Sequence, residues 1–248
     1  MLKAILPFLA LLGLSTMTMA NNSTASTYEE MPGDTAVPSK HHLSVGVNLG
    51  NVDFGTYKGY DPPYKYKTLS PTHWLTQVRV NYHYDLSRQW GLFTGASLSK
   101  VRFQYESDNN PYVKHRVEWD YTAVGVPLAV KFGNMLKDKY VYAGAQFDYA
   151  FKCNFAQYFD NKLQSRRSGD KISDQIGGFK PSLIVGIRAV SIVGIRFQYY
   201  PQNFLHRDYE EQAWEYIDQP YKDVTSKVMS VALTIDLGRN FVQSVFKK

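Results

Sequence analysis

Between positions 73 and 85 the chain reads HWLTQVRVNYHYD, and its side chains change character at every step. Trp74, Thr76, Val78, Val80, Tyr82 and Tyr84 fall on one face, with Gln77, Arg79, Asn81, His83 and Asp85 on the other. A strand places successive side chains on opposite faces, whereas a helix gathers every third or fourth residue, so the stretch is a strand with one apolar side. The same dyad recurs at 43–49, where Leu43, Val45, Val47 and Leu49 alternate with Ser44, Gly46 and Asn48, and at 90–98 through Trp90, Leu92, Thr94, Ala96 and Leu98. Around Ser99 the apolar phase slips, so that Val101, Phe103 and Tyr105 oppose Arg102 and Gln104. A β-bulge, or the point where a strand leaves a membrane, accounts for such a slip. Segments at 115–132, 139–153, 176–190, 192–200 and 226–238 bring the set to eight.

The connections decide how these strands assemble. Those after strands two, four and six are short (86–89, 133–138 and about 191), while those after strands one, three, five and seven are long (51–72, 106–114, 154–175 and 201–225). A soluble sandwich has no reason to sort its loops by end. The spacing predicts an all-β fold, an eight-stranded antiparallel up-and-down transmembrane β-barrel with short periplasmic turns and long extracellular loops.

Aromatic side chains give an independent check. With the long loops outside, Trp74, Phe103, Tyr105, Trp119, Tyr121, Tyr149 and Phe151 fall near the outer strand ends, and Tyr82, Tyr84, Trp90 and Phe132 near the inner ends. Two girdles separated by aliphatic residues are what a lipid-facing belt needs, because aromatic rings prefer the interface. The alternative is a soluble lipocalin-like barrel, disfavoured because the polar face here carries charge and the apolar face ends in aromatics.

An eight-stranded barrel is only wide enough for side chains to fill it. Arg79, Lys131, Asp148, Arg188, Arg196 and Asp236 are expected to point inward, with Gln77, Asn81, Gln146 and Gln198 between them. Buried charges must be paired, so these residues are expected to form a lumenal network that holds the barrel closed, the alternative being a conduit or proton path, although pores generally need more strands.

The first 20 residues carry Lys3, an apolar stretch from Ala4 to Leu14 and small residues ending in Thr18-Met19-Ala20, the pattern of a secretory signal peptide. Residues 21–40 lack periodicity and are expected to be a flexible leader, with the barrel over 41–241 and a periplasmic tail over 242–248. The chain carries 28 Lys+Arg against 22 Asp+Glu, yet the four long loops hold 10 basic and 13 acidic residues. The excess positive charge therefore does not face outward as a nucleic-acid patch. The last loop is the most acidic, with Asp208, Glu210, Glu211 and Glu215 around Trp214; it reads as a solvated loop, with docking of a basic partner or weak binding of divalent cations as the functional alternatives.

No catalytic constellation stands out. His73, His115, Ser70, Ser107 and Glu118 lie near the outer strand ends, but His115 and Glu118 are three apart and so face opposite sides. His41-His42 is read as part of the leader and as incidental rather than a metal site, and Cys153 as a small apolar residue. No metal-ligand spacing and no cofactor motif is visible. The chain is expected to be non-enzymatic.

The run Tyr121-Thr-Ala-Val-Gly-Val-Pro127-Leu-Ala-Val-Lys131-Phe132, followed by a turn and Tyr140-Val-Tyr-Ala-Gly144, resembles the central hairpin of the outer-membrane β-barrel family of Bacteroidota, which includes PorT-like proteins. The hairpin from Val185 to Arg196 and the final strand from Val231 to Phe241 are similar to its later strands. Pro127 cannot donate to a ladder and should mark a bulge, in keeping with an apparent phase change between Tyr121 and Val126. The resemblance implies an outer-membrane location, contact with outer-membrane lipid and lipopolysaccharide, and, for PorT-like members, a part in type IX secretion beside other envelope proteins. Two other readings stay open: a lipid A-modifying enzyme, and a surface adhesin acting through the long loops.

Overall fold

The computed structural model describes residues 41–58, 66–69, 72–107, 115–169, 174–190, 192–213, 216–219 and 221–237. The expected signal peptide, leader and tail lie outside these residues. Twelve strands run through them: β1 (His41–Lys58), β2 (Tyr66–Leu69), β3 (Thr72–Asp85), β4 (Trp90–Ser107), β5 (His115–Asn134), β6 (Lys139–Phe159), β7 (Lys162–Ser168), β8 (Phe179–Arg188), β9 (Val193–Tyr200), β10 (Glu211–Ala213), β11 (Tyr216–Asp218) and β12 (Thr225–Leu237).

Eight of these close into a ring. In the order β1, β3, β4, β5, β6, β8, β9, β12 each strand is antiparallel to the next, and β12 returns to β1 from Val45↔Leu237 to Lys58↔Thr225. Closure satisfies the ladder on both sides of every stave, which an open sheet cannot do. The fold is the eight-stranded antiparallel barrel that the loop lengths predict.

The long loops contain strands that alternation alone missed. β2 pairs with the outer end of β4, β7 with the outer end of β6, and β10 with β11. The β6–β7 hairpin turns on Asp160 and Asn161, whose φ angles of 48° and 62° are left-handed. Asp and Asn tolerate that region, and a primed two-residue turn matches the twist of the flanking strands. At the opposite end, Ser87 Oγ accepts from the Gln89 and Trp90 amides at 3.2 and 3.0 Å, and Asn134 Oδ1 accepts from the Lys137 amide at 3.1 Å.

Two expected bulges are absent. β4 does not slip at Ser99: its pairing with β5 keeps one register from Trp90↔Phe132 to Ser107↔His115, and Gly91, Phe93, Ser97, Ser99, Val101 and Phe103 all face inward. β5 likewise holds one phase, with every odd residue from Val117 to Lys131 buried. Pro127 marks no bulge; it stands in register opposite Gln146, and the missing amide coincides with a gap in the β4 ladder between the pairs Thr94↔Leu128 and Ser97↔Gly125. The β5–β6 shift lies instead at Thr122/Ala123, opposite Lys152 and Ala150, which leaves Phe151 as the extra residue.

What changes along β4 and β5 is the chemistry of their two sides, because the phase of these strands stays constant. In the inner half the interior is polar around a small cluster of Phe93, Ala129 and Ile184, and the exterior is apolar: on β5, Val124, Val126, Leu128, Val130 and Phe132 are all exposed. These span eight residue steps, about 27 Å along the strand and about 20 Å in height at a tilt near 40°. In the outer half the arrangement inverts. Phe103, Trp119 and Tyr121 are at most 2% exposed and pack inside the barrel with Phe204, Leu205, Ile176 and Val224 from the loops, while Arg102 and Glu118 face outward. The assignment of Trp119 and Tyr121 to the outer girdle is therefore wrong, as it is for Phe103, and Tyr105 packs on the same interior cluster. Each such ring removed from water contributes about 2–3 kcal/mol to this outer core.

Candidate functional site

The inner half of the barrel is filled by polar side chains that the pleat turns inward from every stave. All six residues expected there are buried: Arg79, Lys131, Asp148, Arg188, Arg196 and Asp236 are between 0% and 8% exposed. They do not form one chain of ion pairs. Arg79 Nη2 donates to both Asp236 oxygens at 2.8 and 2.9 Å, and Lys131 Nζ donates to Asp85 Oδ1 at 2.7 Å. Arg196 and Asp148 are joined through Gln146, which accepts from Arg196 Nη2 and donates to Asp148 Oδ1 at 2.6 Å. Arg188 donates to Tyr140 Oη at 3.2 Å and to the Asp236 carbonyl at 2.9 Å.

Both ion pairs are built the same way. Gly46 on β1 stands in register with Arg79 on one side and Asp236 on the other; Gly91 on β4 stands between Asp85 and Lys131. The partners come from strands two apart, about 10 Å between backbones, and they meet by reaching over a residue with no side chain. The ion pair and the glycine together are one unit of the lumenal packing.

Sequence reasoning placed Asp85 on the polar face of its strand but missed it as the partner of Lys131. It also set His41-His42 aside as incidental, and this is corrected: both open β1, and His42 is buried with its ring stacked on His83 at 4.5 Å and its Nδ1 3.5 Å from Asp85 Oδ2. Asp53, counted as part of a long loop, lies buried on β1 and accepts from Asn51 Nδ2 at 2.6 Å. Higher up, Lys180 Nζ donates to the carbonyls of Asn203 and Phe204 at 2.9 and 3.0 Å, which ties the last loop into the barrel mouth. Phe204 then stacks on Phe103 at 5.1 Å and leans on Tyr121 at 5.6 Å. The lumen is thus blocked twice, by charge below and by rings above.

The remaining girdle residues lie on the outside. Trp74 is 87% exposed, Tyr149 59%, Trp90 49%, Phe132 47% and Tyr82 44%, with Tyr84 half-buried beside the His41 ring at 4.8 Å.

Of the candidates at the outer strand ends, His115 and Glu118 have separate partners. His115 stacks on Phe159 at 4.5 Å, and desolvation lowers its pKa. Glu118 is held by Arg102 at 2.9 Å and Gln104 at 2.7 Å. No group of three His, Cys, Asp or Glu among the described residues is placed to hold a metal ion. Cys153 is buried. In the acidic loop, Asp208 and Glu210 line a cleft of about 480 Å³ with Tyr149, Asp174, His206 and Tyr209, and Glu210 accepts from Gln219 at 3.0 Å. Glu211 pairs across the β10–β11 hairpin with Asp218, while Trp214 and Glu215 lie outside the described residues.

No family model and no curated protein matches the chain. Among solved structures it is similar to Ail, the attachment invasion locus protein of Yersinia pestis, in complex with the heparin analogue sucrose octasulfate, at 11% identity over 80% of this chain and 100% of that one, with a TM-score of 0.33. It is also similar to the outer membrane protein OprG from Pseudomonas aeruginosa, at 13% identity over 80% of this chain and 96% of that one, with a TM-score of 0.37.

Proposed function

We propose that the chain is an integral, non-enzymatic protein of the bacterial outer membrane, exported by its N-terminal signal, whose sealed barrel anchors an extracellular half in the outer leaflet. The observation that carries this reading is the exposed apolar band around a ring without edges, with Val124 to Phe132 on β5, Leu183, Val185 and Ile187 on β8, and Val231 and Leu233 on β12 all turned outward. A soluble protein would bury a contiguous surface of that extent, whereas hydrocarbon requires it. Above the band the exterior turns polar and the interior apolar, as a barrel leaving lipid for water must.

In its sharpest form the barrel is an assembly component of the envelope, PorT-like, acting in type IX secretion; the support for this is the resemblance of the hairpin from Tyr121 to Gly144. Migration of the membrane fraction on a gel, boiled and unboiled, tests the barrel, and a shift is expected. Extraction in mild detergent tests the assembly role: co-purifying envelope proteins are expected, and a solitary monomer would count against it. An altered lipid A mass spectrum on deletion would overturn the non-enzymatic assignment.

A further inference from the structure

The bulge on β6 has a specific consequence for the outer surface. Because Phe151 is the extra residue, Phe151 and Lys152 are both exposed, where a regular strand would turn one of them inward. Phe151 and Tyr149 belong to the lipid-facing rim. Lys152 stands immediately above it, in register with Thr122 on β5 and, through Thr122, with Lys100 on β4. The rung below, Leu98 and Val124, is the last apolar one. A row Lys100, Thr122, Lys152 therefore crosses three staves at the edge of the hydrocarbon, its lysine backbones about 10 Å apart and within reach of a common anion.

The carboxylates on this face are already engaged. Asp120 accepts from Asn154 Nδ2 at 2.6 Å and lies 3.3 Å from Lys100 Nζ, and Glu118 is held by Arg102 and Gln104. Lys152 has no carboxylate within ion-pair distance among the described residues. Directly above, a cleft of about 250 Å³ is lined by Arg102, Asn154, Tyr158 and Arg166 together with those two carboxylates. Going outward, the face runs from aromatic, to cationic, to a polar cleft with both donors and acceptors. That is the order of an acyl chain, a phosphate and a sugar.

We propose that this face docks the phosphorylated sugar headgroup of an outer-leaflet glycolipid, with Lys152 and Lys100 on the phosphate and the cleft bounded by Arg102 and Arg166 on the sugar. The proposal rests on the membrane reading above. Bulges re-aim side chains where function needs them, and a cation at the lipid surface attracts anionic headgroups.

The test is native mass spectrometry of the intact chain in mild detergent, with bisphosphorylated lipid A, its dephosphorylated form, or inorganic phosphate added in separate arms. The phosphorylated glycolipid is expected to be retained in preference to the dephosphorylated one. Lys152→Gln should weaken retention about fivefold and Lys100→Gln/Lys152→Gln tenfold or more, since each surface cation contributes on the order of one such factor. Lys139→Gln, at the far end of β6, should change nothing. Equal retention by wild type and the double variant overturns the proposal, as does equal retention of the dephosphorylated lipid. Displacement of the lipid by millimolar inorganic phosphate also overturns it, since that reduces the face to a bare anion site. Boiled and unboiled migration of each protein separates the two readings. A preserved shift with equal retention removes the docking face and keeps the barrel, whereas no shift in the wild type removes both.

Discussion

A methyl group on Gly46 would lie 2.0 Å from Asp236 Oδ1 and 2.9 Å from Arg79 Nε, so the salt bridge occupies the space a side chain would need. Gly91 repeats the relationship, where an added Cβ would stand 2.9 Å from both Asp85 Oδ1 and Lys131 Cε. Gly46→Ala is therefore expected to force the Arg79–Asp236 pair apart and to lower stability by about 3 kcal/mol, the range of a broken buried pair. Gly50→Ala meets no neighbour within 4 Å and incurs only the left-handed backbone at φ +60°, about 1 kcal/mol. Urea unfolding from lipid vesicles reads both variants, and equal effects would contradict the rung geometry.

The Lys131–Asp85 pair gives a second prediction. Lys131→Met takes the ammonium away from a buried carboxylate that keeps His42 at 3.5 Å and should reduce stability by about 3 kcal/mol, whereas Lys131→Met/Asp85→Leu removes both charges and should recover most of the loss. A double-mutant cycle from the same unfolding experiment supplies the coupling, and a double variant no more stable than the single one would argue against a direct pair.

Phe204 closes the mouth from above. Phe204→Ala should cost about 3 kcal/mol, seen as a lower thermal midpoint in detergent. It should not produce ion conductance in a planar bilayer, because the charge network beneath it still fills the lumen. Conductance comparable to that of an open pore would show that the rings alone seal the barrel.

His115 sets a pH dependence at the outer tip of β5. Burial against Phe159 lowers its folded pKa below the ordinary value of 6.5, so the unfolded tip binds a proton more readily than the folded one. The stability that neutral His115 contributes is present above the unfolded pKa and is lost as pH falls below it. Amide exchange at Val117 and Gln157, which pair across β5 and β6, should speed up between about pH 7 and pH 5, and His115→Gln should flatten that response.

The alternation of Val78, Val80 and Tyr82 with Gln77, Arg79 and Asn81 was enough to place a stave and its lumenal charges, because period two is a property of the backbone and survives any environment. The side on which Trp119, Tyr121 and Phe103 lie was not legible by the same means. An apolar face points to lipid within the membrane and to the core above it, so a constant strand phase crossing that boundary imitates a slip at Ser99. Pro127 was read as a bulge for the same reason, and the true bulge at Phe151 was hidden because Phe151 and Lys152 continue an apolar and polar alternation on paper. Asp85 was visible on its face, but its pairing with Lys131 depends on β3 and β5 flanking Gly91, a register that no single segment encodes. β2 and β7 were missed because they lean on the overlong ends of β4 and β6 and carry no apolar period of their own; the Asp160-Asn161 pair was the one local signal of that hairpin.

On β4 and β5 one unbroken strand phase meets lipid below and water above. Variants retaining a single tryptophan at 74, 90 or 119, reconstituted in vesicles with brominated acyl chains, test it most directly. Trp74 and Trp90 are 87% and 49% exposed on the outer wall and should be strongly quenched, while Trp119, 2% exposed within the outer cluster, should keep its emission. Quenching of Trp119 to the level of Trp74 would put it back in the lipid-facing girdle, and the absence of quenching at all three positions would take the barrel out of the membrane.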